Sequence, residues 1–273
     1  MYESYWHLTQ KPFENCCDPG FYFPGESHQA ALLKLRYAVE NQRGGAILAG
    51  PPGSGKTLLV GMLREVLGPQ CTPVVHLVFP QMPAEEILAY VAGELSGDPS
   101  VNGTPALHQS VRQIEHCLAG NVQRGQHATI VVDEAHLIDD ARTWETLRLL
   151  MNFECAGRPG LTLLLVGQTG VLPTLDRIPQ LEERLGVKCL LRPLTRAETA
   201  QYVAHRFQAA GGDPGVFEDD ALAEIHRLTH GLPRRINRLA DLALLIGYAE
   251  QRKTLSAVQL GSIHEELVAV VPE

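Results

Sequence analysis

Lysine is scarce in this chain of 273 residues, standing only at Lys11, Lys34, Lys56, Lys188 and Lys253. Lys and Arg together number 23 against 31 Asp and Glu, a formal net charge of −8. A protein that coats nucleic acid constitutively carries a basic balance, so that class is disfavoured, although a local basic face is not excluded. No apolar run approaches the ~18–20 residues that cross a bilayer; the longest are short, such as Leu163–Val166 and Leu242–Ile246. The opening MYESYWHLTQ lacks the basic start and apolar stretch of a secretory signal. No membrane segment and a cytoplasmic location are therefore expected. There is no CxxC, no HExxH and no internal repeat. The six cysteines, Cys16, Cys17, Cys71, Cys117, Cys155 and Cys189, read as reduced, mostly buried thiols. No structural metal is expected.

What is present is an ordinary globular composition, 45% hydrophobic and 20% charged. Its length allows one large or two smaller domains. Residues 1–27 are aromatic and broken by Pro12, Pro19, Gly20, Pro24 and Gly25, which predicts a strap laid on a core. Ser27 is positioned to cap a helix over 28–41. Strands and helices then alternate. Strands are expected at 46–49, 73–79, 128–132, 161–166 and 187–191. Helices are expected at 57–67, 83–95, 104–122 (Thr104 as cap, Pro105 in its first turn) and 141–155, with a broken one over 170–185. Short apolar strands separated by helices predict a parallel sheet covered on both faces. After Pro193 only helices are expected, the first opened by a capping box at Thr195 and Glu198, with later starts at Asp219 or Asp220, Pro233 and Ser256. The chain divides into a strap (1–27), an αβα core (28–193) and a helical domain (194–273).

Gly50, Pro51, Pro52, Gly53, Ser54, Gly55, Lys56 and Thr57 spell GxxxxGKT between a predicted strand and helix, followed by Leu58. Glycines let backbone N–H groups turn toward phosphate oxygens, and the helix that follows adds its positive end. Lys56 can reach β- and γ-phosphates, and the Thr57 hydroxyl can ligate Mg²⁺. The apolar run before Asp133 delivers it and Glu134 to the C-terminal end of a strand, where open α/β sheets bind ligands. Asp133 suits Mg²⁺ and Glu134 suits activation of water; on their own they could equally be two solvated acids. His136 completes the letters DEAH, but nothing downstream matches the later motifs of helicases. Gln168 follows the next strand, as a sensor of the γ-phosphate or as an ordinary turn residue. Arg184 and Arg177 compete as an arginine that completes a neighbouring subunit's site, with pairing of Arg184 to Glu182 or Glu183 as the bland reading. Arg234, in the first turn after Pro233, could reach a phosphate, or join Arg227, His230, Arg235 and Arg238 in a basic face.

These features together resemble an AAA+ ATPase. The runs Met1-Tyr-Glu-Ser-Tyr-Trp6, Lys11-Pro-Phe13, Asp18-Pro19, Phe21–Phe23 and His28 are similar to the opening of the general secretion pathway A type (ExeA-like) family. Leu149-Leu-Met-Asn152, Val166-Gly-Gln168, Arg192-Pro-Leu194 and Gly231-Leu-Pro-Arg234 fit the same family. The resemblance spans essentially the whole chain. It implies an αβα core with a five-stranded parallel sheet in the order 5-1-4-3-2 and a four-helix lid. It implies ATP as substrate with Mg²⁺, Gln168 and Arg234 as sensors, Arg184 serving a neighbour, and Phe21–Pro24 beside the adenine. Self-association as a ring or filament around a protein partner follows. Secretion members often continue into a membrane segment and a peptidoglycan-binding region, whereas this sequence stops at Glu273, so an envelope role does not simply carry over. Related TniB-like transposon ATPases bind DNA, which leaves an ATP-dependent regulator of transposition, or a slow filament-forming scaffold, as alternatives.

Overall fold

The structure is a computed structural model that describes residues 1–97, 105–155 and 157–269. It forms two compact units: a sheet unit of residues 29–51 and 59–191, and a helical unit of residues 1–28, 52–58 and 192–273.

The sheet unit is built on five parallel strands: β1 (Gly45–Ala49), β2 (Val74–Leu77), β3 (Ala128–Val132), β4 (Leu161–Gly167) and β5 (Leu185–Leu190). Their order across the sheet is β2-β3-β4-β1-β5, which reads β5-β1-β4-β3-β2 from the other edge. Every residue of β1, β3 and β4 is buried, as expected where helices cover both faces of a parallel sheet. The intervening helices are α3 (Ala84–Ser96), α4 (Leu107–Gln123), α5 (Ala141–Leu150), α6 (Val171–Asp176) and α7 (Pro179–Glu182). α1 (Glu26–Glu40) and α2 (Lys56–Val66) each begin in residues of the helical unit and run into this one. Ile47, Ile87, Ile114, Leu118, Ile130, Leu147 and Leu163 form the heart of its core.

The helical unit carries α8 (Arg196–Ala209), α9 (Asp219–Thr229), α10 (Pro233–Ala249) and α11 (Ala257–Ala269). The N-terminal aromatics pack into the same core as these helices. Phe13 lies against Phe207 and Phe217, with ring centroids 6.3 and 6.0 Å away. The Trp6 indole donates to the Leu244 carbonyl at 3.0 Å, and the Tyr2 hydroxyl to Asp241. Arg206, only 2% exposed, donates to the carbonyls of Pro12 (2.5 Å) and Glu14 (2.7 Å) and lies 4.3 Å from the Phe21 ring centroid. The strap is therefore a structural part of this unit rather than a separate segment.

Several boundaries differ from the sequence reading. α1 starts at Glu26, not after Ser27, because the Glu26 N–H is capped from a distance by Glu198 at 3.0 Å. The helix expected to reach residue 155 stops at Leu150. Glu154–Cys155 instead pair antiparallel with Arg158–Pro159, around Gly157 at φ +73°. β2 ends at Leu77, leaving Val78 and Phe79 exposed. Pro105 precedes α4, whose first turn is closed by Gln109 accepting the Ala106 N–H at 3.1 Å; Thr104 lies outside the described residues. The cysteines are free but not mostly buried, since only Cys71 and Cys189 are buried and Cys16 and Cys17 are exposed. Among the described residues no helix is long and apolar enough to cross a membrane.

Candidate functional site

The Gly-rich loop joins β1 to α2. Gly53 and Gly55 adopt φ of +74° and +92°, a region L side chains rarely occupy. At Gly53 a Cβ would also lie 2.7 Å from the Cβ of Arg234. The Arg234 N–H donates to the Gly53 carbonyl at 3.1 Å, so the first turn of α10 is bonded directly to the loop. The Ser54 side chain is fully buried and its hydroxyl has no hydrogen-bond partner. Lys56 is 6% exposed, Thr57 is exposed and Leu58 half-buried.

His28 supports this loop from α1. Its Nε2–H donates to the Ser54 carbonyl at 2.8 Å. Burial lowers its pKa, outweighing the opposite pull of that hydrogen bond, so the ring is neutral at pH 7. A small cavity of about 40 Å³ adjoins the loop, lined by Phe21, Tyr22, Phe23, His28, Leu58, Leu194, Tyr202 and Pro233 among others. Its wall is mostly apolar, yet the Tyr22 hydroxyl is buried and unpartnered. A clamp fixes the start of α1 nearby. Arg192 contacts Glu26 and Glu198, each at 2.6 Å. Burial opposes ionisation of Glu198, but the Arg192 guanidinium and the N–H groups of Thr195 and Glu26 hold its carboxyl down at about 2.

In the sheet unit, β3 ends at Asp133 and Glu134. Asp133 is 4% exposed. It accepts the Glu134 N–H at 2.9 Å and stands 3.5 Å from His76 Nε2. Glu134 has φ +50°, an uncommon conformation for a side-chain-bearing residue. It lies across from the end of β4. There Gly167 accepts the Gly50 N–H at 3.2 Å, and the Gln168 N–H donates to His136 Nδ1 at 3.3 Å.

The arginines separate. Arg184 and Arg177 are exposed. Arg184 reaches the Met151 carbonyl at 3.4 Å, while Glu182 pairs with Lys188 instead. Arg234, Arg235 and Arg238 are exposed on α10. Arg227 is held by two hydrogen bonds to Glu224, at 2.7 and 2.6 Å. Sequence reasoning assigned no role to His76, His136 or the Arg192–Glu198 clamp, and named His28 only as part of a motif. His28, His76 and the Arg192–Glu26 side of the clamp have no spacing signal, because those partners lie far apart in the chain.

A Gly-rich loop at positive φ, a strand ending in two acids, and a parallel sheet in this order define the P-loop nucleotide-binding class of fold. A family model described as AAA domain matches residues 39–175. The chain belongs to this AAA family. General secretion pathway protein A of Aeromonas hydrophila is 31% identical over 278 residues, a match covering 97% of this chain and 50% of that protein. The chain thus spans about half the length of that relative. Solved structures share the fold at low identity. Cdc6p from Pyrobaculum aerophilum matches with a TM-score of 0.72, 18% identity, and coverage of 96% of this chain and 74% of that one. The Aeropyrum pernix ORC2 protein in ADPNP–ADP complexes gives 0.69, 17%, 94% and 71%. The Thermotoga maritima RuvB Holliday junction branch migration motor gives 0.57, 18%, 88% and 69%.

Proposed function

We propose that the chain binds ATP with Mg²⁺, hydrolyses it to ADP and phosphate, and uses the cycle to gate self-association around a protein partner. The loop geometry carries this reading. Gly53 and Gly55 at positive φ curl the backbone as phosphate binding requires, and Arg234 is anchored on that curl. The small apolar cavity beside the loop, with its unpartnered Tyr22 hydroxyl, marks the side on which a base would lie.

Residues Gly50 to Leu58 would wrap the phosphates, with the Lys56 ammonium on the β- and γ-oxygens. The Thr57 hydroxyl and Asp133 carboxylate are the hard oxygen donors that Mg²⁺ prefers; the bound ion would neutralise charge on the phosphates. Glu134 would orient the attacking water and accept its proton. Gln168 would contact the γ-phosphate or that water, and Arg234 would balance phosphate charge. Arg184, with Arg177 as the competitor, would serve a neighbouring subunit. The helices after Pro193 would act as the lid.

The likeness to a general secretion pathway protein supports a partner in a secretion or envelope-associated assembly. The competing reading, ATP-dependent DNA binding in transposition, loses one residue of its basic face because Arg227 is already paired with Glu224.

Substitution of Glu134→Gln tests the core of the proposal. ATP binding should persist while phosphate release slows by about 10²–10⁴-fold. A variant that turns over at the wild-type rate would remove Glu134 as the base. Light scattering with and without ATP reports self-association. Salt-dependent DNA binding that requires ATP would favour the competing reading.

A further inference from the structure

Two consecutive peptide planes of the Gly-rich loop are held from outside it. The Gly53 carbonyl accepts the Arg234 N–H at 3.1 Å. The Ser54 carbonyl accepts from His28 Nε2 at 2.8 Å. Both peptides are trans, and in a trans peptide the C=O and N–H point to opposite sides. Holding the Gly53 carbonyl therefore aims the Ser54 N–H, and holding the Ser54 carbonyl aims the Gly55 N–H, each away from its brace. Neither N–H has an acceptor among the described residues. Gly53 and Gly55, at φ of +74° and +92°, supply the curl that lets successive N–H groups face one anion.

The two braces differ in kind. Arg234 acts through its main chain, whereas His28 acts through its side chain. A carbonyl can only accept, so Nε2 carries the proton. The other ring nitrogen is then bare, and it stands 3.5 Å from the Ser27 hydroxyl, a group able to donate to it. The residue is 6% exposed, so water does not freely replace the bond to Ser54. Burial also lowers the pKa of the ring, and a neutral ring has a single N–H, the one directed at the loop. The start of its helix is fixed two residues upstream, where the Glu26 N–H meets Glu198 and the Glu26 carboxylate meets Arg192.

We propose that His28 is a positioning residue for nucleotide phosphates. By holding the Ser54 carbonyl it presets the Gly55 N–H toward the phosphate oxygens before nucleotide arrives. Preset donors spare the binding step the cost of ordering the loop. The effect falls on binding rather than on the chemical step, because the same donor meets the phosphates in the ground state and the transition state. This inference rests on the reading of the loop as a phosphate site.

Calorimetric titration with Mg²⁺ and ATP tests it, together with spectra of the unaltered protein. His28→Leu leaves the Ser54 carbonyl without its donor, and ATP affinity should fall about tenfold, the upper range for one neutral hydrogen bond. His28→Gln places an N–H at the reach of Nε2 and should return affinity to within about threefold of wild type. Steady-state turnover should show the loss in KM, with kcat changed less than about twofold. In the unaltered protein, long-range ¹⁵N–¹H correlation spectra should show His28 with protonated Nε2 and bare Nδ1. The Gly55 amide proton of glycine-labelled protein should move downfield when ATP is added. If His28→Leu fails to fold, these two spectra still decide. Unchanged ATP affinity in His28→Leu, equal losses in the Leu and Gln variants, a bare Nε2, or a Gly55 amide that ATP leaves in place would overturn the proposal. Absence of ATP binding by the unaltered chain would overturn the phosphate-site reading itself, a result distinct from ATP binding that ignores His28.

Discussion

At Gly53 the backbone turns through φ +74° with the Arg234 side chain 2.7 Å from where a Cβ would be. Two costs therefore meet at one position, conformational strain and a clash with α10. Gly53→Ala should weaken ATP binding by at least about tenfold, since left-handed strain alone is about 1–3 kcal/mol. Equilibrium titration with a fluorescent ATP analogue measures it. His127 behaves differently. It is 4% exposed and shares a 2.9 Å hydrogen bond with Thr162, and burial drops its pKa to about 4. The unfolded chain takes up this proton near pH 6.5, whereas the native protein resists until about pH 4. Its contribution to stability is therefore complete above pH 6.5 and is lost as pH falls from 6.5 to about 4. Urea denaturation at pH 7.5 and pH 5 should show the drop, and His127→Leu should reduce this pH dependence.

Among the elements, α1 shows how a helix boundary can be set from outside. Ser27 offered a local cap, yet the helix begins at Glu26 because Glu198, 172 residues away, accepts its N–H. Glu198 also closes the capping box of α8, accepting the Thr195 N–H at 2.8 Å. One carboxylate thus serves two helix starts and Arg192. Glu198→Gln should cost about 1.5–3 kcal/mol at pH 7, the range for charge-assisted hydrogen bonds. Because the native pKa is held at about 2 against 4.5, that stabilisation is present above pH 4.5 and lost as pH falls toward 2. Variant and wild type should draw together in urea denaturation as pH falls from 4.5 to about 2. The capping box itself was legible in the sequence, because Thr195 and Glu198 are three residues apart. The second use of Glu198 was not, because no local pattern encodes its meeting with Glu26. α5 makes a similar point. Its apolar spacing runs on past Leu150, but Gly157 and the bond from the Gly160 N–H to the Phe153 carbonyl at 2.7 Å turn the chain back into a short ladder.

For the whole molecule, the helical unit's core is completed by residues from the far N-terminus. Phe13 is 2% exposed between Phe207 and Phe217. Phe13→Ala should cost about 3–5 kcal/mol, the range for a large buried aromatic. Limited proteolysis should then cut residues 1–28 and 192–273 faster than the sheet unit. The net charge of −8 also reads differently at this scale. Arg234 remains exposed beside the Gly-rich loop, whereas Arg227 and Arg192 are held in ion pairs. The acidic total therefore says little about the charge available at the proposed site.

The sequence by itself determined the alternation of strands and helices, the Gly-rich loop and the placement of Asp133 and Glu134 at a strand end. Each is written in short-range patterns: apolar runs, glycine spacing and turn residues act over a few positions. Only the tertiary structure decided that His28 braces Ser54, that α10 bonds to Gly53, and that one nitrogen of His136 faces both Glu134 and Gln168. Those pairings join residues brought together by packing, and the geometry of a hydrogen bond is set by where whole elements come to rest.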